Sequence, residues 1–252
     1  MITNKVLSSS LHELLACEQF SDYAPNGLQV QGQENIKKIA TAVTASLEVI
    51  ERAVAMQAQA LIVHHGYFWK GERSEIVGIK RERIAALLSH DINLFAYHLP
   101  LDCHPTLGNN AQLAKKLNLD AVQWHRIESI NNLMCSANLP QPLSAEELQA
   151  YLSQRILRQP LHLDGGKKTI KKIAWCTGAA QDYLSHAYAL GVDAYLSGEV
   201  SERTYYEAKE LGIHYFACGH HATERYGIQA LGCYLAQTYQ LEHEFIDSSN
   251  VI

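Results

Sequence analysis

Lys37-Lys-Ile-Ala-Thr-Ala-Val-Thr-Ala45 and Lys171-Lys-Ile-Ala-Trp-Cys-Thr-Gly-Ala179 open two stretches that align without a gap as far as His65 and Glu199. Beyond the shared Lys-Lys-Ile-Ala, residues Ala45, Ala53, Ala55 and Ala60 fall on Ala179, Ala187, Ala189 and Ala194. The physical pattern repeats with the letters. Residues 39–44 and 173–177 are apolar runs carrying β-branched side chains, which predicts strands. Val49, Ile50, Ala53 and Val54 in one stretch, and Tyr183, Leu184, Ala187 and Tyr188 in the other, have the three-to-four spacing of a helix with one buried face. Short apolar runs at 60–63 and 194–196 then read as second strands. A strand–helix–strand unit of this length joins parallel neighbours, so the sheet is expected to be parallel there.

The likeness continues past the aligned blocks. Residues 81–88 and 205–211 read as helices, 93–97 and 214–218 as strands, and 108–117 and 226–236 as helices again. Residues 127–166 have no counterpart. They hold a predicted strand at 132–137 and a helix from Ser144, whose Ser-x-x-Glu147 spacing is a capping box. Asp164-Gly-Gly166 is a turn signal. The expected fold is α/β, with two pseudo-repeated halves of mostly parallel or mixed sheet and a crevice between them. The first half spans 1–125 and the second 126–252, with 126–170 as a non-repeated strand–helix insertion. The C-terminal segment is expected to pack back on the first half.

Composition narrows the function classes. A chain of 252 residues, 47% of them hydrophobic, can bury a sizeable core. The net charge is −5 with no basic run, so nucleic acid is not the expected partner. The first residues lack an apolar signal core and no run approaches a membrane span, so a cytoplasmic protein is expected. Six cysteines lie scattered with no Cys-x-x-Cys pair, against a zinc ribbon, a thioredoxin-like site or a disulfide framework. Cys103 and Cys218 stand next to histidine/acid clusters, although small buried thiols are the commoner role.

Those clusters carry the chemistry. His64-His65 and His220-His221 each follow a predicted strand; His98-Leu-Pro-Leu-Asp102 and His220-His-Ala-Thr-Glu224 each place a histidine four residues before an acid. Neutral imidazole with carboxylate is a ligand set for a catalytic divalent metal. If the strand persists to its end, His64 and His65 project to opposite sides and flank two ions better than they chelate one. His220 and Glu224 share a helix face, and a glutamate can bridge two ions through its two oxygens. Asp102 would cap an ion from the other side. All fall at the carboxyl ends of strands, where open α/β sheets form sites. The plainer readings are specific too: Asp102 and Glu224 as helix N-terminal charges, His98 bonded to a backbone carbonyl, His221 as a supporting group. Tyr67, Phe68 and Trp69 can stack on a substrate ring or be buried.

Ser21-Asp-Tyr-Ala-Pro-Asn-Gly-Leu-Gln-Val30, Val63-His-His-Gly-Tyr-Phe-Trp-Lys-Gly71, His98-Leu-Pro-Leu-Asp102, Gly108-Asn-Asn110, Ser197-Gly-Glu199 and Gly219-His-His-Ala-Thr-Glu-Arg225 together resemble the GTP cyclohydrolase 1 type 2 homologue family, the Nif-three-like dinuclear metal proteins, in its short bacterial branch. The likeness covers essentially the whole chain. It implies a duplicated α/β fold, a toroidal homohexamer and a two-metal centre in an interdomain cleft, with His64, His65, Asp102, His220 and Glu224 as ligands and Glu224 bridging. The reaction it suggests is metal-dependent hydrolysis of a purine nucleotide such as GTP, or of a damaged nucleotide. His98, with His221 as second choice, is the expected acid/base, and Glu199, aligned with His65, is expected to orient water or substrate. The ions would be Zn, Mn, Fe, Co or Ni. No Walker-type loop is present, so phosphate would meet metal, backbone, Lys70 or Arg225. The rival expectation is a non-catalytic metal-homeostasis protein or a regulatory assembly factor.

Overall fold

Apolar strands followed by amphipathic helices build two mixed sheets. The computed structural model describes residues 1–252, and the chain divides into two units, residues 1–101 with 227–249 and residues 102–226 with 250–252.

In the first unit five strands run in the order Glu242–Phe245, Lys38–Thr44, Ala60–His65, Asn93–Ala96, Gly27–Val30. The first four are mutually parallel and Gly27–Val30 is antiparallel to its neighbour. The Lys38–Thr44 and Ala60–His65 strands pair in parallel, as their joining helix requires. That helix, Leu47–Ala55, starts where the Ser46 hydroxyl accepts from the Val49 N–H at 3.3 Å. It buries Val49, Ile50 and Ala53 against Ala40, Ala42, Leu61 and Val63 of the sheet. Strand Glu242–Phe245 belongs to this unit, while residues 250–252 belong to the other.

The second unit holds six strands in the order Gln123–Ile127, Ile130–Leu143, Ile170–Trp175, Ala194–Ser197, His214–Ala217, Leu161–Leu163. Its central three are parallel and its flanking pairs antiparallel. The helix Ala145–Ile156 begins at the expected capping box, Ser144 and Glu147 each satisfying the other's backbone N–H. Leu148, Leu152 and Ile156 pack into a core with Trp175, Leu196 and Phe216.

The last helix runs His220–Tyr239, so His220 and Glu224 share its first turn as expected, although its apolar pattern begins only at 226. Its polar start is helical because the Thr223 N–H donates to the Gly219 carbonyl and the Thr223 hydroxyl to the His220 carbonyl. Asp102 ends a short helical turn, Leu99–Asp102. No helix is long and apolar enough to cross a membrane.

Candidate metal centre

The first unit gathers three histidines. His64 and His65 end the Ala60–His65 strand, and His98 lies two residues beyond its parallel neighbour Asn93–Ala96. One donor atom from each lies within 4.8 Å of the others. The expectation that His64 and His65 point to opposite sides needs correction: their ring centroids are 4.5 Å apart. Each ring is held by a partner at its Nδ1. The fully buried His64 has Nδ1 2.9 Å from the Tyr97 carbonyl oxygen, and His65 has Nδ1 3.0 Å from the Thr44 hydroxyl.

A carbonyl oxygen only accepts, so His64 Nδ1 carries the proton and the lone pair resides on Nε2. The same holds for His98, whose Nδ1 lies 2.9 Å from Asp22 Oδ1. Burial pushes the Asp22 carboxyl up, but bonds from His98, Asn26 and the Leu99 N–H outweigh it and hold the group below its ordinary value. Tyr23 and Trp69 meet the His98 ring edge-on, with centroids at 4.9 and 5.0 Å. Tyr67, by contrast, is buried, its hydroxyl donating to the Ala45 carbonyl at 2.8 Å. Phe68 is partly exposed beside Lys80.

The second unit gathers two buried carboxylates and a histidine. Asp102 accepts from Asn109 Nδ2 at 2.8 Å and from the Thr177 hydroxyl at 3.3 Å. Asn109 and Asn110 start the helix Asn109–Lys116, and Asn110 braces the Asp102 and Leu133 carbonyls. In the first turn of the last helix, His220 Nε2 is 3.0 Å from Glu224 Oε2, while His220 Nδ1 is 2.6 Å from Glu199 Oε1. Burial alone would lower the His220 pKa, yet Glu224 and Glu199 together raise it to about 9.

Gly178 makes room for this pair. Its φ is +70°, and a Cβ there would lie 2.1 Å from Glu224 Oε1 and 3.2 Å from His220 Nε2. The donor set fits a divalent cation. Imidazoles with Nδ1 anchored on oxygen and lone pairs on Nε2 are the usual preparation of histidine ligands. Buried carboxylates are costly without a compensating positive charge.

His221 is buried and its backbone N–H meets the Ile252 carbonyl, but it is not among the residues whose donor atoms cluster. Burial pushes the Cys218 thiol up to about 12, which keeps it neutral. His104 folds onto its own loop, its Nδ1 accepting from the Thr106 and Leu107 N–H groups.

Sequence reasoning passed over Asp22, Thr177 and Gly178. The signal for Gly178 was legible: a glycine immediately past a strand, aligned with Thr44. It also passed over a group formed by His162, Asp164 and His214. There the His214 Nδ1 lone pair already meets the Gly165 N–H at 3.2 Å and His162 Nε2 at 3.0 Å.

The family model described as Duf34/NIF3 (NGG1p interacting factor 3) matches residues 2–251. The chain belongs to the DUF34/NIF3 family. A GTP cyclohydrolase 1 type 2 homolog of Vibrio cholerae is 48% identical over 256 residues, covering 100% of both chains. One of Pasteurella multocida is 50% identical over 245 residues, covering 97% of each. A solved structure of protein ybgI, described as of unknown function, superimposes with a TM-score of 0.95 at 47% identity over 100% of both chains. The mixed α/β architecture is that of NIF3 proteins.

Proposed function

We propose that this protein binds two divalent metal ions and uses them to hydrolyse a purine nucleotide or a damaged nucleotide. His64, His65, Asp102, His220 and Glu224 are the residues that would hold them. The observation that carries the reading is the common preparation of two histidines. Nδ1 of His64 and His98 each faces an oxygen acceptor, so Nε2 is the coordinating or proton-accepting atom.

Ions bound in such a site supply Lewis acidity and bring the pKa of a water toward neutrality. The chain's own residues do the rest. Glu199 fixes the His220 ring, Asn109 and Thr177 fix Asp102, and His98 is placed to accept or return a proton through Nε2. The substrate class rests on the name of the relatives, GTP cyclohydrolase 1 type 2 homolog. A homohexamer is the proposed assembly, to be checked by light scattering.

One observation favours a second reading, in which metal is cargo. His220 lies between Glu199 and Glu224, at 2.6 and 3.0 Å, and these carboxylates raise its pKa, so a proton on the ring can stand in for an ion. Protein loaded in turn with Mn, Fe, Co and Zn should be assayed against GTP and oxidised or ring-opened nucleotides. Turnover that disappears in Glu224→Ala supports catalysis. Stoichiometric, exchangeable metal with no turnover of any of these favours the cargo reading.

A further inference from the structure

The segment Ser21-Asp-Tyr-Ala-Pro-Asn26 is part of the family signature, yet none of its residues is a proposed ligand. In the structure it wraps His98. Asp22 Oδ1 lies 2.9 Å from His98 Nδ1, with side chains only 3% and 10% exposed. Asn26 Oδ1 accepts the His98 backbone N–H at 2.7 Å, and Asp22 Oδ2 accepts the Leu99 N–H at 3.0 Å. Ring and backbone of His98 are therefore held by one turn. The Tyr23 and Trp69 rings close on its edges.

We propose that Asp22 is a positioning residue: it fixes His98 as the Nδ1–H tautomer and so presents the Nε2 lone pair to the His64–His65 cluster. The inference rests on the metal-centre reading for its purpose, but not for its test. Asp22 Oδ1 receives the Tyr23 and Ala24 N–H groups as well as His98, and Oδ2 receives Asn26 Nδ2 and the Leu99 N–H. Backbone donors and Asn26 leave the carboxylate no reason to change. Asn26 is pinned by the His98 N–H on its Oδ1, so His98 is the partner that can reverse its role without losing another bond, by moving its proton from Nδ1 to Nε2. A carboxylate forbids that reversal because it has no proton to give.

Asp22→Asn tests this directly. Its NH₂ group faces a donor whichever way it turns; Asn26 could become an acceptor only by giving up the bond its Oδ1 takes from the His98 N–H, whereas His98 need only move its proton. The variant is thus expected to switch His98 to the Nε2–H tautomer. Metal-free, ¹⁵N-histidine-labelled full-length protein at a pH where His98 is neutral would be measured by magic-angle-spinning NMR. The His98 signals are assigned by their loss in His98→Gln. Expected are a protonated Nδ1 and a bare Nε2 in the wild type, reversed in Asp22→Asn. Zinc titration of both proteins reads the metal centre separately, because His98 is not among its proposed ligands.

A wild-type His98 protonated on Nε2 overturns the proposal even if the variant fails to fold. So does an Asp22→Asn protein with an unchanged tautomer. If the tautomers behave as stated but neither protein binds zinc, the metal-centre reading falls and the positioning role stands.

Discussion

Replacing Gly178 by alanine separates backbone strain from site geometry. At φ +70° a Cβ costs about 1–2 kcal/mol in any fold. For a chain of this size that lowers the melting temperature by roughly 2–8 °C. The site effect is separate. The new methyl would stand 2.1 Å from Glu224 Oε1, well inside van der Waals contact, so the carboxylate must leave its position beside His220. Gly191 is the control: its φ is +66°, and a Cβ there meets nothing within 4 Å. Gly178→Ala and Gly191→Ala should melt at similarly reduced temperatures by circular dichroism. Only Gly178→Ala should lose zinc affinity, by at least about tenfold in calorimetric titration. Wild-type zinc binding by Gly178→Ala, or equal loss in both variants, would refute the reasoning.

Three further outcomes follow from the geometry. His220 has a raised pKa in the metal-free protein, so its stabilising pairs with Glu224 and Glu199 are fully present below its ordinary value of 6.5 and vanish as pH rises through about 9. Metal needs the neutral ring, so zinc affinity should rise with pH up to about 9, and binding at pH 7 should release protons; titrations in buffers of different ionisation enthalpy measure this. The Asp193 carboxyl is pushed up by burial but held below its ordinary range by Lys167 and by the Lys171 and Lys172 N–H groups. Its contribution is present above 3.8 and lost as pH falls through the lower folded value, so Asp193→Asn should cost about 1 kcal/mol at neutral pH in denaturant titrations and little at strongly acid pH. Trp175→Phe should cost about 2–4 kcal/mol, because the fully buried indole N–H donates to the Asn110 carbonyl at 3.1 Å and the smaller ring leaves a void.

The parallel strands were legible in the sequence because their apolar runs and joining helices have distinct periods. Residues 39–44, 60–63, 173–177 and 194–196 all overlap observed strands. Helix Ala145–Ile156 was legible for a different reason, its local capping box. What periodicity cannot carry is a polar helix start. The run His220-His-Ala-Thr-Glu224 has no apolar stripe, and it is helical through hydrogen bonds of Thr223.

The site shows the same division. Histidine and carboxylate types with their strand-end placement named the candidates, since ligand chemistry is local to each residue. The groups that orient them were hidden, because contact between positions far apart in the chain leaves no spacing to read. Asp22 reaches His98 across 76 residues and Thr177 reaches Asp102 across 75. Glu199 was legible as a candidate through its alignment with His65, and it stands hydrogen-bonded to His220.

Elemental analysis of the protein purified without chelators or affinity-metal steps tests the central claim most directly. Wild-type protein should carry two equivalents of divalent transition metal, and Glu224→Ala, folded by circular dichroism, should carry markedly less. A wild-type protein that is metal-free and takes up no zinc, manganese, iron, cobalt or nickel on titration would contradict the account.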